Sequence, residues 1–165
     1  MRKNLRLMGL ISLVVIFMSS CSKDDDNPTE TAKTVNEYLT AGNWKVTALT
    51  VNPGISFGQV EITDFFAQMP SCTKDDLTKF NSNGTITDDE GATKCDPNDP
   101  QTTNDGTWVL SADNTSVTMN YPGEDPTTVV ISQLDGSVFK GTYTLVEDFG
   151  SGILSYTFTV TMALQ

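Results

Sequence analysis

The chain has 165 residues, enough for one domain with a substantial core. It carries 21 Asp and Glu against 10 Lys and Arg, a net charge of −11, and no histidine. The charge excludes a nucleic-acid partner, which needs a basic patch to release counterions. The missing histidine excludes Ser-His-Asp and Cys-His catalysis and any histidine-ligated metal.

Arg2, Lys3 and Arg6 precede an apolar stretch from Leu10 that closes on Ser19, Ser20 and Cys21. The stretch is short for a membrane span, and its basic flank and small closing residues fit a cleaved leader. Together these residues resemble the signal peptide and lipobox of a bacterial lipoprotein. The resemblance implies a signal peptide over residues 1–20, acylation of Cys21 and anchoring in a membrane by several acyl chains. Ser22-Lys23-Asp24-Asp25-Asp26 resembles the acidic motif that sends lipoproteins to the outer face of the outer membrane; a plain solvated linker is the other reading. Residues 21–33 have no apolar face to bury and are expected to form a flexible stalk. Beyond residue 20 the chain holds seven Lys, no Arg, and 21 acids, a net charge of −14. With Cys21 set aside, Cys72 and Cys95 remain as an even pair, expected to form a disulfide in an oxidising envelope.

The domain is expected over residues 34–165. Thr34-Val35-Asn36-Glu37 fits a capping box, with Gly42 where a helix stops, so a short helix leads in over Val35 to Ala41. Asn43 to Val51 alternates, with Trp44, Val46 and Ala48 on one face, and reads as a strand broken by Pro53 and Gly54. Ile62 to Met69, capped by Thr63-Asp64, reads as a helix of about two turns that Pro70 ends; a strand is the alternative.

Hairpin signals follow. Asp76 to Phe80 and Thr85 to Asp88 flank Asn81-Ser82-Asn83-Gly84, where Asn-Gly tolerates positive φ. Asp89 to Asp105 is polar and aperiodic and reads as a loop pinned by the cysteine pair. Further strands are expected over Gly106 to Leu110, Ser116 to Tyr121, Thr127 to Leu134 and Ser137 to Val146, with a last turn at Phe149 to Gly152. Ile153 to Leu164 alternates most clearly, with Leu154, Tyr156, Phe158, Val160, Met162 and Leu164 on one face. About eight sequential strands, each with one apolar face, hide their edges best by closing into an all-β, eight-stranded antiparallel up-and-down barrel. A two-sheet sandwich is the competing solution.

Gly42-x-Trp44 opens the first strand after a short helix. Cys72-x-x-Asp75-Asp76, Phe80-Asn81-x-Asn83-Gly84-Thr85, Cys95 and Gly106-Thr107-Trp108 follow in order. This set resembles the lipocalin-like domain of envelope lipoproteins in Gram-negative bacteria, over Thr34 to Gln165. The resemblance implies a barrel with a cavity and names no ligand. Two further lipocalin signatures, a Thr-Asp-Tyr loop and a late arginine, are not present.

The carboxylates Asp75, Asp76, Asp88, Asp89 and Glu90 gather near the ends of one hairpin. Paired carboxylates can hydrolyse glycosides, but these read as solvated loop acids. The oxygen-rich stretch from Asp88 to Asp105 suits calcium in ligand type but lacks EF-hand spacing, so no metal or cofactor is expected. The candidate ligand-binding residues are the aromatics on apolar faces: Trp44, Trp108, Tyr121, Tyr143, Tyr156 and Phe158. The expectation is a non-enzymatic, lipid-anchored outer-membrane protein whose barrel binds a small, mostly apolar molecule. The alternative is a filled barrel serving as a structural or protein-interaction module at the cell surface.

Overall fold

A computed structural model describes residues 33–148 and 152–165. The leader over 1–20, Cys21, the stalk up to residue 32 and most of the turn expected at 149–152 lie outside the described residues.

The described chain opens with α1 (Val35–Leu39) and β1 (Asn43–Phe57). It continues through β2 (Val60–Asp64), α2 (Phe65–Gln68) and a 3-10 turn over Ser71–Thr73. Seven more strands follow: β3 (Leu77–Phe80), β4 (Thr85–Asp89), β5 (Thr102–Leu110), β6 (Ser116–Asn120), β7 (Thr127–Leu134), β8 (Val138–Glu147) and β9 (Leu154–Leu164). The sheet runs β2-β1-β3-β4-β5-β6-β7-β8-β9, and β1 also pairs with β9. Strands β1 and β3 to β9 therefore close an eight-stranded antiparallel barrel, and β2 is a ninth strand outside the ring.

The closure depends on the length of β1. Its first residues pair with β3 through Asn43↔Lys79, Trp44↔Thr78 and Lys45↔Leu77. Farther along, β2 takes over that edge, from Thr50↔Asp64 to Phe57↔Val60. The opposite edge stays on β9 from Trp44↔Leu164 to Asn52↔Thr157. A register shift between Val46 and Ala48 moves the inward face from Trp44 and Val46 to Leu49 and Val51. Ala48 is therefore not in line with Trp44, as simple alternation predicts, because a bulge adds one residue to the count.

Three other expectations are corrected. Pro53 and Gly54 do not end β1. Pro53 falls beyond the last β9 pair and inside a register irregularity against β2, where no ladder N–H is required. Ile62 belongs to β2, and only one helical turn follows, with Asp64 as its cap through Ala67 N at 3.0 Å. Strand β5 begins at Thr102, inside the stretch expected to be loop, because Asp88↔Thr103 and Asp89↔Thr102 extend the β4 ladder past the apolar segment. The α1 capping box forms as expected, between Thr34 and Glu37.

Two apolar clusters fill the ends of the barrel. The larger holds Leu39, Trp44, Phe80, Ile86, Trp108, Val117, Val129, Phe139 and Met162. The smaller holds Val51, Ile55, Tyr156 and Phe158, with Phe65 of α2 packed against it. The Cys72–Cys95 disulfide is formed, with a Cα–Cα distance of 5.2 Å, and ties the 3-10 turn to the β4–β5 loop. Asp75 adds to that tie by accepting from Ala92 N, Thr93 N and Thr93 Oγ1 at 2.9, 2.8 and 2.7 Å.

Candidate functional site

Between the two clusters lies a cavity of about 400 Å³. Period-2 alternation places its wall. Strand β6 contributes Met119, with Tyr121 just beyond it; β7 contributes Val129; β8 contributes Phe139, Tyr143 and Leu145; β9 contributes Val160 and Met162; β1 contributes Val46 and Leu49. Phe80 of β3 and Met69, after α2, complete the apolar lining. The volume lies within the ~300–1,000 Å³ typical of small-molecule sites.

A smaller recess of about 260 Å³ adjoins it, with Val46, Met69 and Thr78 lining both. Its wall includes Asp76, Asp88, Asp89 and Glu90. The backbone explains two of these acids. On β4, Ile86 points into the core, and Asp88, two residues on, shares its face; Asp76 stands in the same relation to Thr78 and Phe80. Asp88 accepts from Thr78 Oγ1 at 2.9 Å and from the Tyr121 hydroxyl at 3.1 Å. Burial raises the Asp88 carboxyl above its ordinary range, against the lowering effect of those two hydrogen bonds. Burial also raises Asp76, reinforced by the negative charges of Glu90, Asp75, Asp88 and Asp89. The Tyr121 phenol is pushed up by burial and then by Asp88. Burial alone raises Tyr143.

The six candidate aromatics divide. Tyr121 and Tyr143 line the cavity. Phe158 stands behind Tyr143, stacked on it at 5.1 Å with ring planes 7° apart, and Tyr156 is buried in the same end cluster. Trp44 and Trp108 belong to the opposite cluster, outside the cavity wall. Each indole is committed to the main chain: Trp44 Nε1 donates to Leu39 O at 2.8 Å and Trp108 Nε1 to Asn81 O at 2.9 Å. Sequence reasoning missed the aliphatic lining and the inward acids. Alternation could have found Asp76 and Asp88, since both continue the inward faces of their strands.

Among the described residues, no three Cys, Asp or Glu side chains come together so as to hold a metal ion. No described helix is long and apolar enough to cross a membrane.

A closed up-and-down barrel with an internal cavity beside a polar mouth defines the class. The family model described as the lipocalin-like domain matches residues 40–141, and the chain belongs to that family. Among solved structures, the chain is similar to bovine odorant-binding protein in complex with a selenium-containing odorant. Identity is 13% and the TM-score 0.41, over 82% of this chain and 76% of that one. None of the curated proteins matches.

Proposed function

We propose that this protein is a non-enzymatic, lipid-anchored envelope protein whose barrel binds a small, mostly apolar molecule. The apolar cavity carries the reading: Leu49, Met119, Val129, Phe139, Leu145, Val160 and Met162 surround space that a filled barrel would occupy with side chains. Anchoring rests on the lipobox-like stretch ending at Cys21 and on the acidic residues after it, which favour the outer membrane, facing the cell exterior. Native mass spectrometry of the protein from its own host tests the cavity. An added mass that organic extraction removes is expected; a bare mass, with no rise in melting temperature across a panel of apolar molecules, overturns the reading. Incorporation of labelled palmitate that is lost in Cys21→Ala tests the anchor.

One observation favours the interaction-module reading: Phe57, Val60, Val146, Ile153 and Leu154 are large apolar residues left exposed at the β1–β2 tip and along the β8–β9 end. Cross-linking on intact cells through these positions would identify a protein neighbour.

A further inference from the structure

The wall of the larger cavity is mostly apolar, and one inward side chain presents it with an open hydroxyl. We propose that Tyr143 is the specificity-determining residue of the cavity, and that it selects an uncharged apolar molecule whose carbonyl oxygen, in the middle of its body, accepts from the Tyr143 hydroxyl. The proposal rests on the cavity being a ligand site and adds the chemistry of the molecule that fits it.

Four observations carry it. Tyr143 lines the cavity and is the one side chain that packs against both apolar clusters, so it stands between the two ends of the space. It shares the inward face of β8 with Phe139 and Gly141, two and four residues before it. Its ring is held by the stack on Phe158, at 5.1 Å and 7°, which fixes the position of the hydroxyl before a guest arrives. The hydroxyl has no hydrogen-bond partner among the described residues; burial alone acts on it. It is not sealed in either, because Asp76 Oδ1 is the one enclosed side-chain oxygen or nitrogen left without a partner among those residues. The Tyr143 hydroxyl therefore keeps open surface, and on an inward side chain of the wall that surface belongs to the cavity. Finally, the other polar groups of the lining are taken or stand at its edge. The Tyr121 hydroxyl and Thr78 Oγ1 both donate to Asp88, at 3.1 and 2.9 Å. Glu124 is exposed on the β6–β7 turn, and Thr127 is the first residue of β7.

The chemistry of the guest follows. An apolar molecule that displaces water from this hydroxyl recovers the lost bond only if it carries a polar atom at the same place. A phenol is more acidic than an aliphatic alcohol and so the better donor, and burial raises the Tyr143 pKa further, which keeps its proton in place at neutral pH. The matching group is therefore an acceptor. An ammonium has no lone pair with which to accept. A carboxylate accepts, but its charge needs a cation when it leaves water; the lining holds neither Lys nor Arg, and its one charged residue is Glu124.

The test uses nonan-5-one, nonane and nonanoate, which have nine carbons each, as competitors of the apolar fluorescent probe N-phenyl-1-naphthylamine at neutral pH. They are compared on the purified protein and on Tyr143→Phe, which keeps the ring and removes the hydroxyl. The variant is expected to bind nonan-5-one about tenfold more weakly, the effect of one lost hydrogen bond. Its affinity for nonane should stay the same, which also shows that it is folded. Nonanoate should be the weakest of the three on both proteins. Undiminished binding of nonan-5-one to the variant overturns the proposal and leaves the apolar cavity standing as a site. An equal loss for nonan-5-one and nonane assigns Tyr143 to packing and overturns it too, as does nonanoate binding more tightly than the ketone. No binding of the probe or of any competitor to the unaltered protein removes the cavity reading and this one with it.

Discussion

The indole nitrogen of Trp44 donates to the carbonyl oxygen of Leu39 at 2.8 Å, and this bond seats α1 against the end of the barrel. Both residues are fully buried, and Phe139 meets the Trp44 ring edge-on at 6.2 Å. Trp44→Phe keeps most of the apolar contact and leaves the Leu39 carbonyl without that donor. The expected cost is ~1–3 kcal/mol in denaturant unfolding. Hydrogen exchange of the α1 amides should quicken more than that of β6. Unchanged exchange in α1 would show that the bond does not hold the helix.

Gly106 makes room for a neighbour. A Cβ there would lie 2.7 Å from Tyr121 Cε1 and 2.9 Å from Ile86 Cβ. Gly106→Ala should push the Tyr121 ring away from Asp88, at a cost of about 1–3 kcal/mol from overpacking. The phenol should then titrate at lower pH, because burial and Asp88 both hold it up. Ultraviolet titration measures this, and an unmoved tyrosine titration would refute the packing argument.

The Cys72–Cys95 bond closes a loop with a sequence separation of 23. Chain entropy gives such a crosslink about 3 kcal/mol of stabilisation. Reduction should therefore lower the unfolding free energy by about that much, and the unfolding midpoint with it. It should also loosen Thr73, Glu90 and Gln101, which line the acidic recess beside the bond. Superposable unfolding curves with and without reductant would contradict this.

Asp76 sets an unusual pH response. Its folded-state pKa is raised, by burial first and then by neighbouring acids, so the folded protein binds this proton more tightly than the unfolded chain does. Its favourable contribution is complete below the unfolded value, near 3.8, and is lost as pH rises through the folded value. Asp75 and Asp113 are lowered by hydrogen bonds and act the other way, their contribution being lost as pH falls through their folded values. Asp76→Asn should raise the melting temperature at pH 7. The gain should shrink as the pH approaches 4. A gain of equal size at every pH would mean that charge is not the cause.

Most of the barrel was legible because its strands bury one face, and burial of one face produces alternation. Strand β9 shows this most plainly, with Tyr156, Phe158 and Met162 inward and Ser155 and Thr157 exposed. Departures came where pairing, rather than burial, decides the conformation. Exposed Val60 and Glu61 form a strand because β1 offers them an edge, and Thr102 and Thr103 join β5 because Asp88 and Asp89 are opposite. The site was only partly legible. Aromatic character does not distinguish Trp44, which plugs an end, from Tyr143, which lines the cavity; the difference lies in where each falls along the barrel axis. The acids were read by composition as loop residues, although Asp76 and Asp88 keep the step of two from Phe80 and Ile86.

The join between β1 and β3 has a kinetic consequence. Only three residue pairs close the barrel there, from Asn43↔Lys79 to Lys45↔Leu77, before β1 turns its edge over to β2. Every other neighbouring pair in the ring is held over a longer ladder, so the smallest opening fluctuation of the wall is at this join. Val46, one residue past the last of these pairs, lines both the apolar cavity and the acidic recess. Under the proposed function, a guest would enter and leave by breathing of this seam, while β8 and β9 keep the rest of the barrel intact. Its residence time would then depend on a local opening and be decoupled from the global stability of the fold.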